Sequence, residues 1–224
     1  MIICFWESEC GYLMQETFEA GKRILMRIYD ISQPVFGCEV YPGDPAPKRK
    51  VLCDMENGDL YNLSAFAMCA HNGTHVDAPY HFYQEGKRIE ELSLEAFVGM
   101  CYVANCTGEL TAQDAISILE KARIENQKSA RRILLKGDVV LTEEAASVFA
   151  EAKVLLVGSE FQSVGPEDAP MAVHLKLLGA EVVILEGLRL QNVGEGAYFL
   201  NAVPINLNGA DGAPCRAILV DIEV

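Results

Sequence analysis

The sequence predicts one mixed α/β domain in which helices cover a sheet. Strand-like runs dominate the first half of the chain, and strands alternate with helices in the second half. The 224 residues are 50% hydrophobic, enough for one sizeable core. No internal repeat or linker divides them.

Residues 1–25 form an N-terminal leader and residues 26–224 the body. The opening "MIICFWESECGYLM" lacks a basic n-region and carries glutamates, which argues against a signal peptide. "MQETFEAGKRIL" is predicted as an amphipathic helix or, with Met26 as an alternative start, as upstream sequence. "MRIYDISQPV" is the first strand of the body. Pro42, Gly43, Pro45 and Pro47 make "VYPGDPAPKRK" a rigid loop. Strands follow at "KVLCDM", "LYNLSAFAMCAH" and, beyond a loop holding Pro79 and Gly86, "MCYVANC". "TAQDAISILEKA" has helical apolar spacing with Thr111 as N-cap, and "TEEAASVFAEA" is a second helix capped by Thr142. "PMAVHLKLLGA" is a third helix, ended by Gly179. "RRILLKG", "KVLLVGSE", "EVVILEG", "YFLNAVPINL" and "CRAILVDIEV" complete the strands.

A net charge of -14 argues against nucleic acid or an anionic membrane as partner. The longest apolar run, "AEVVILEGL", is too short to span a bilayer. The eight cysteines form no CxxC, and their scatter suits small core residues in a reducing cytoplasm. Cys69, two residues before His71, is a minor candidate ligand.

Three of the four histidines lie in "HNGTHVDAPYH". His71, His75, Asp77 and His81 are spaced by four, two and four, so an ideal strand puts them on one face and a helix does not. A straight strand also fails, because it separates His71 from His75 by roughly 13 Å, whereas ligands of one metal lie about 2 Å from the ion. The chain must bend, and Asn72-Gly73 and Pro79 are the bend signals. Imidazoles with a carboxylate suit zinc, manganese or iron, and Val76, Ala78 and Phe82 are expected to keep water away. His174 and Glu186, on a helix and the strand after it, are weaker candidates for closing the site by spacing alone.

"HNGTHVDAPYH" resembles the H-x-G-T-H-x-D-x-P-x-H signature of the cyclase family of metal-dependent hydrolases, which includes bacterial kynurenine formamidases. "YDISQPVFGCEVYPGD", "HLKLLGAEVVILEGLRL" and "LNGADGAPCRAILV" extend the resemblance from Arg27 to the end of the chain. It implies a swivelling β/β/α fold, a homodimer or homotetramer, and two divalent metal ions, zinc or manganese foremost. Carried over, the ligands are His71, His75, Asp77, His174 and Glu186, with Asp77 and Glu186 shared between ions. His81 becomes the catalytic acid/base residue. Two departures bear on substrate: Glu160 replaces an aspartate in "GSEFQS", where the formamidases carry G-x-D-x-x-S, and Tyr41 stands where they often place tryptophan. The sole tryptophan is Trp6.

These residues suit attack of metal-activated water on a small amide, with N-formyl-L-kynurenine, giving L-kynurenine and formate, as the best-defined candidate. Another cyclic amide, imide or lactone is the alternative, followed by a metal-binding protein without catalysis. No substrate-binding residue is assigned, although Tyr41, Phe36, Phe66, Tyr80, Phe82 and Phe161 are available to a flat ring. "GADGAP" lacks the lysine and serine of a phosphate loop and is read as a structural turn, with Arg216 as an ion-pair partner.

Overall fold

The computed structural model describes residues 3–7, 12–19, 22–166 and 168–223. In chain order the elements are β1 (Ile3–Glu7), β2 (Tyr12–Glu19), β3 (Lys22–Asp30), β4 (Lys48–Cys53), β5 (Leu63–Ala67), β6 (His75–Asp77), β7 (Val98–Asn105), β8 (Gly108–Leu110), α1 (Ala112–Glu125), β9 (Arg132–Lys136), β10 (Val139–Leu141), α2 (Glu143–Glu151), β11 (Leu156–Ser159), α3 (Met171–Gly179), β12 (Val183–Glu186), β13 (Gly196–Asn201), β14 (Gly212–Pro214) and β15 (Ile218–Glu223). Short 3-10 turns link several of them.

Eleven strands form one sheet in the order β1-β2-β3-β15-β13-β7-β9-β11-β12-β6-β14. The run β7-β9-β11-β12 is parallel, and α1, α2 and α3 are its crossovers. The flanks are antiparallel. β4 pairs with β5 as a separate hairpin, and β8 with β10 as a short parallel pair.

The leader helix is corrected: Tyr12–Glu19 is a strand that pairs antiparallel with β3. β3 itself crosses residue 25 and pairs with β15, and those backbone partners decide its state over local periodicity. The body follows its sequence pattern more closely. The Thr111 hydroxyl accepts from the Asp114 N–H, and the Asp114 carboxylate accepts from the Thr111 N–H, a reciprocal cap for α1. Thr142 caps α2 through the Ala145 N–H. Gly179 is the last residue of α3, but the left-handed turn falls on Glu181, at φ 59°. At Gly179 a Cβ would lie 2.5 Å from the Tyr83 hydroxyl.

Core strands read as near-continuous apolar runs because both faces are covered. In β9, Ile133 and Leu135 join the layer under the helices, while Leu134 joins the layer on the other face. That alternation carries through to the edge. In β12, Ile184 lies with the helices and Leu185 on the opposite face, beside Val76 of β6. The even-numbered positions of β12 and the odd-numbered positions of β6 therefore look toward α3. Among the described residues, no helix is long and apolar enough to cross a membrane.

Candidate metal centre

β6 is three residues long and buried throughout, between β12 and β14. Its register places His75 opposite Glu186 and Asp77 opposite Ile184. Directly opposed residues share a face at close range, so backbone pairing alone brings His75, Asp77 and Glu186 together. α3, the crossover before β12, adds His174 from above. The bend that the spacing demands is present: Gly73 has φ 67° and the Asn72 carboxamide accepts from the Cys69 N–H. Pro79 opens a 3-10 turn that carries His81.

All six histidine, aspartate and glutamate residues expected from the sequence converge. His75 Nε2 lies 3.4 Å from Asp77 Oδ1 and 3.3 Å from Glu186 Oε2. His174 Nε2 lies 3.3 Å from Glu186 Oε1 and 3.7 Å from Asp77 Oδ2. His71 Nδ1 is 2.8 Å from Asp77 Oδ1. Among the described residues two groups of donor atoms are close enough to hold an ion, His75-Asp77-Glu186 and His71-Asp77-His81, and Asp77 belongs to both. Cys69 stands outside them, its Sγ 3.7 Å from Asp44 Oδ2. Of the residues expected to exclude water, Phe82 stacks on His174 with ring centroids 5.0 Å apart, and Val76 belongs to the opposite face.

The donor set fits a metal. The Nδ1–H of His75 donates to the Gly73 carbonyl at 2.9 Å and that of His174 to the Pro170 carbonyl at 2.8 Å. Each imidazole is thereby fixed with Nε2 facing the carboxylates, the orientation that metal-binding histidines take from their outer partners. His75 Nε2 is buried and has no hydrogen-bond partner. Its separations from the two carboxylates match the roughly 3.3 Å edge of a tetrahedron with ~2.0 Å bonds.

Electrostatics point the same way. Burial opposes charge on His75, but Asp77 and Glu186 outweigh it and raise its pKa to about 9. His71 is desolvated too, yet Asp211 and Asp77 push it up to about 11. Desolvation works to raise Asp77, and the flanking His71 and His75 nevertheless hold it well below the usual carboxylate range. The cluster thus attracts positive charge, and a metal must displace protons to bind. As pH falls from about 9 toward 6, metal affinity is expected to drop by about tenfold per unit for each proton displaced. Titration calorimetry in buffers of different ionisation enthalpy counts those protons; a pH-independent affinity contradicts this account.

Sequence reading missed Asp211. It lies in the turn taken as structural, and its Oδ2 is 2.9 Å from His71 Nε2 and 3.1 Å from His81 Nδ1. The neighbouring glycine matters too, since a Cβ on Gly212 would come within 2.5 Å of His71 Cε1. The visible signal was the aspartate in the resembling segment "LNGADGAPCRAILV". Asp211→Asn is expected to weaken metal binding about 10–100-fold, as loss of an outer carboxylate does elsewhere; competition against a chromophoric chelator measures it. Arg216 does pair, its Nε 2.8 Å from Asp30 Oδ1. Glu160 lines no cavity of the centre: its carboxylate accepts from the Gly137 and Leu190 N–H groups at 2.8 and 2.7 Å, so this departure is a backbone clamp.

The donors open into a cavity of about 240 Å³ lined also by Tyr41, Asp44, Phe82, Gln162 and Ser163. Tyr41, Gln162 and Ser163 border a second cavity of about 480 Å³, walled by Pro42, Val140 and Phe161. Tyr80 instead carries Arg88 over its ring, and Phe36 meets Phe66 edge-on.

Residues 29–166 match the family model described as "Putative cyclase". The chain belongs to the cyclase family. As a cyclase-family protein it is 32% identical over 204 residues to the kynurenine formamidase of Bacillus cytotoxicus, covering 85% of this chain and 95% of that one. It is 31% identical over 210 residues to the kynurenine formamidase of Erythrobacter litoralis, covering 88% and 94%. A solved structure titled as a potential metal-dependent hydrolase with cyclase activity superposes with TM-score 0.73 at 30% identity, covering 89% of this chain and 100% of that one. This cyclase-family chain is a hydrolase that uses a divalent metal.

Proposed function

We propose that this cyclase-family hydrolase cleaves the formamide of N-formyl-L-kynurenine, releasing L-kynurenine and formate. The observation that carries the chemistry is the buried, unpartnered His75 Nε2 held between Asp77 and Glu186. The substrate rests on the formamidase relatives and on the largely apolar second cavity, which suits an aryl ring.

His71, His75, Asp77, His174 and Glu186 would hold two divalent ions, zinc or manganese. Ions there would supply Lewis-acid polarisation of a carbonyl and an acidified water. The chain's own groups do the rest. His81, at the cavity wall, takes the proton from the attacking water and returns it to the leaving nitrogen. Asp211 Oδ2 orients His81 through Nδ1, leaving Nε2 for the proton. Phe82 and Tyr41 line the cavity and give its wall two aromatic surfaces.

The test is turnover of N-formylkynurenine by protein reconstituted separately with zinc and with manganese. Turnover abolished by a chelator supports the assignment; none in protein shown to hold its metal removes this substrate.

The homo-oligomer expected from the family has a surface to match. The β4–β5 hairpin exposes Val51, Leu52, Met55, Leu60, Tyr61 and Phe66, with Leu60 93% accessible. Such an apolar stretch suits a second copy of the chain. Light scattering should return two or four times the 24.6 kDa chain mass; a monomer at micromolar concentration removes this proposal. Free thiols at Cys38, Cys53, Cys69, Cys101, Cys106 and Cys215 support a cytoplasmic setting.

A further inference from the structure

We infer that Gln162 is a specificity-determining residue that reads the edge of the substrate's amide, its Oε1 accepting the amide N–H and its Nε2 donating to the amide carbonyl. The inference rests on the hydrolase reading of the neighbouring metal centre.

Gln162 borders both the metal cavity and the apolar cavity beside it. Any molecule that reaches from the ring-binding space to the donors passes it. Both polar atoms of its side chain are buried and neither has a hydrogen-bond partner. A buried donor and acceptor left together without partners are rare in folded proteins and costly. Among the described residues, nothing else uses them.

The residue is also held in place. It follows β11, where the Phe161 N–H donates to the Ser159 hydroxyl and the Phe161 carbonyl accepts from the Gly187 N–H at 2.8 Å. Gly187, at φ 69°, lies against the amide: a Cβ there would come within 2.6 Å of Gln162 Nε2. The backbone on that side blocks retreat, so the amide stays at the neck.

A primary carboxamide offers one donor and one acceptor side by side, and turning it over reverses their order while keeping one of each. Its complement is a secondary amide whose N–H and C=O lie on a common edge. Lactams and cyclic imides hold that arrangement permanently, and an open-chain formanilide reaches it in its cis form. Phe161 and Gln162 fill the two unspecified positions of G-x-D-x-x-S, so this reader is a property of this chain's own sequence.

Binding distinguishes the idea from catalysis. Oxindole presents the cis N–H/C=O edge, and N-methyloxindole has the same ring without the donor. By calorimetry, metal-loaded wild type is expected to prefer oxindole by about tenfold or more. Gln162→Met, which keeps length and removes both polar atoms, should bind the two alike with metal content and melting temperature unchanged. Gln162→Glu, which keeps an acceptor and removes the donor, should weaken oxindole by a smaller factor and covers the case of a misfolded methionine variant. Equal preference in wild type and variants overturns the inference, as does failure of wild type to bind oxindole. Formylkynurenine turnover by the same wild-type preparation is scored separately: its absence removes the proposed substrate and leaves the Gln162 result standing.

Discussion

Asp77→Asn should strip the protein of metal and of activity together. Asp77 belongs to both donor groups and lies within 2.8, 3.4 and 3.7 Å of His71, His75 and His174. It is fully enclosed, so no water replaces the lost charge. Asparagine keeps the shape and one acceptor oxygen but removes the anion common to both donor groups. The imidazoles would remain without the carboxylate that draws cations to them. Metal per chain, read by elemental mass spectrometry after desalting, should fall toward zero, and turnover by at least about a thousandfold. A variant that kept its full metal complement and most of its turnover would show that the ions sit elsewhere.

His81→Ala is expected to separate the two properties that Asp77→Asn removes together. His81 is more exposed than the other histidines and touches Asp211 at 3.1 Å. Its ring tilts against that of His71 with centroids 4.1 Å apart. As a proton carrier it should contribute about 10²–10⁴-fold to turnover, with metal content unchanged. It also lies within ligand distance of His71 and Asp77, so the alternative is concrete. Equal loss of metal and turnover would make His81 a ligand and move the proton-carrying role to another group.

Most of the centre was legible because its residues are close in sequence and the code for bending the chain is local. Even spacing put His71, His75, Asp77 and His81 on one side, and Asn72-Gly73 supplied the turn. Helix caps at Thr111 and Thr142 were legible for the same reason. His174 and Glu186 were weak by spacing alone, because their position depends on how α3 packs over β12. Asp211 was missed outright: it meets His71 across 140 positions of sequence, and its turn of small residues carries no periodic signal. Tyr12–Glu19 misled for a related reason. Its local pattern tolerates a helix, and pairing with β1 and β3 makes it a strand. Glu160 shows the reverse limit, since a substitution in a recognisable motif looked relevant to substrate and proves to be backbone support.

The placement of β6 sets an order on assembly. Its three residues end at Asp77, yet the strands on either side begin at Val183 and Gly212. Chain emerging from the ribosome therefore carries three of the centre's four histidines for more than a hundred residues before their neighbours exist. Contacts so distant along the chain form late and slowly. A nascent or C-terminally shortened polypeptide lacks Asp211 and β14, and so cannot complete the pocket however well its earlier strands have collapsed. Activity is thus withheld until Asp211 and β14 have been made, which couples the enzyme's onset to the integrity of the segment that carries them.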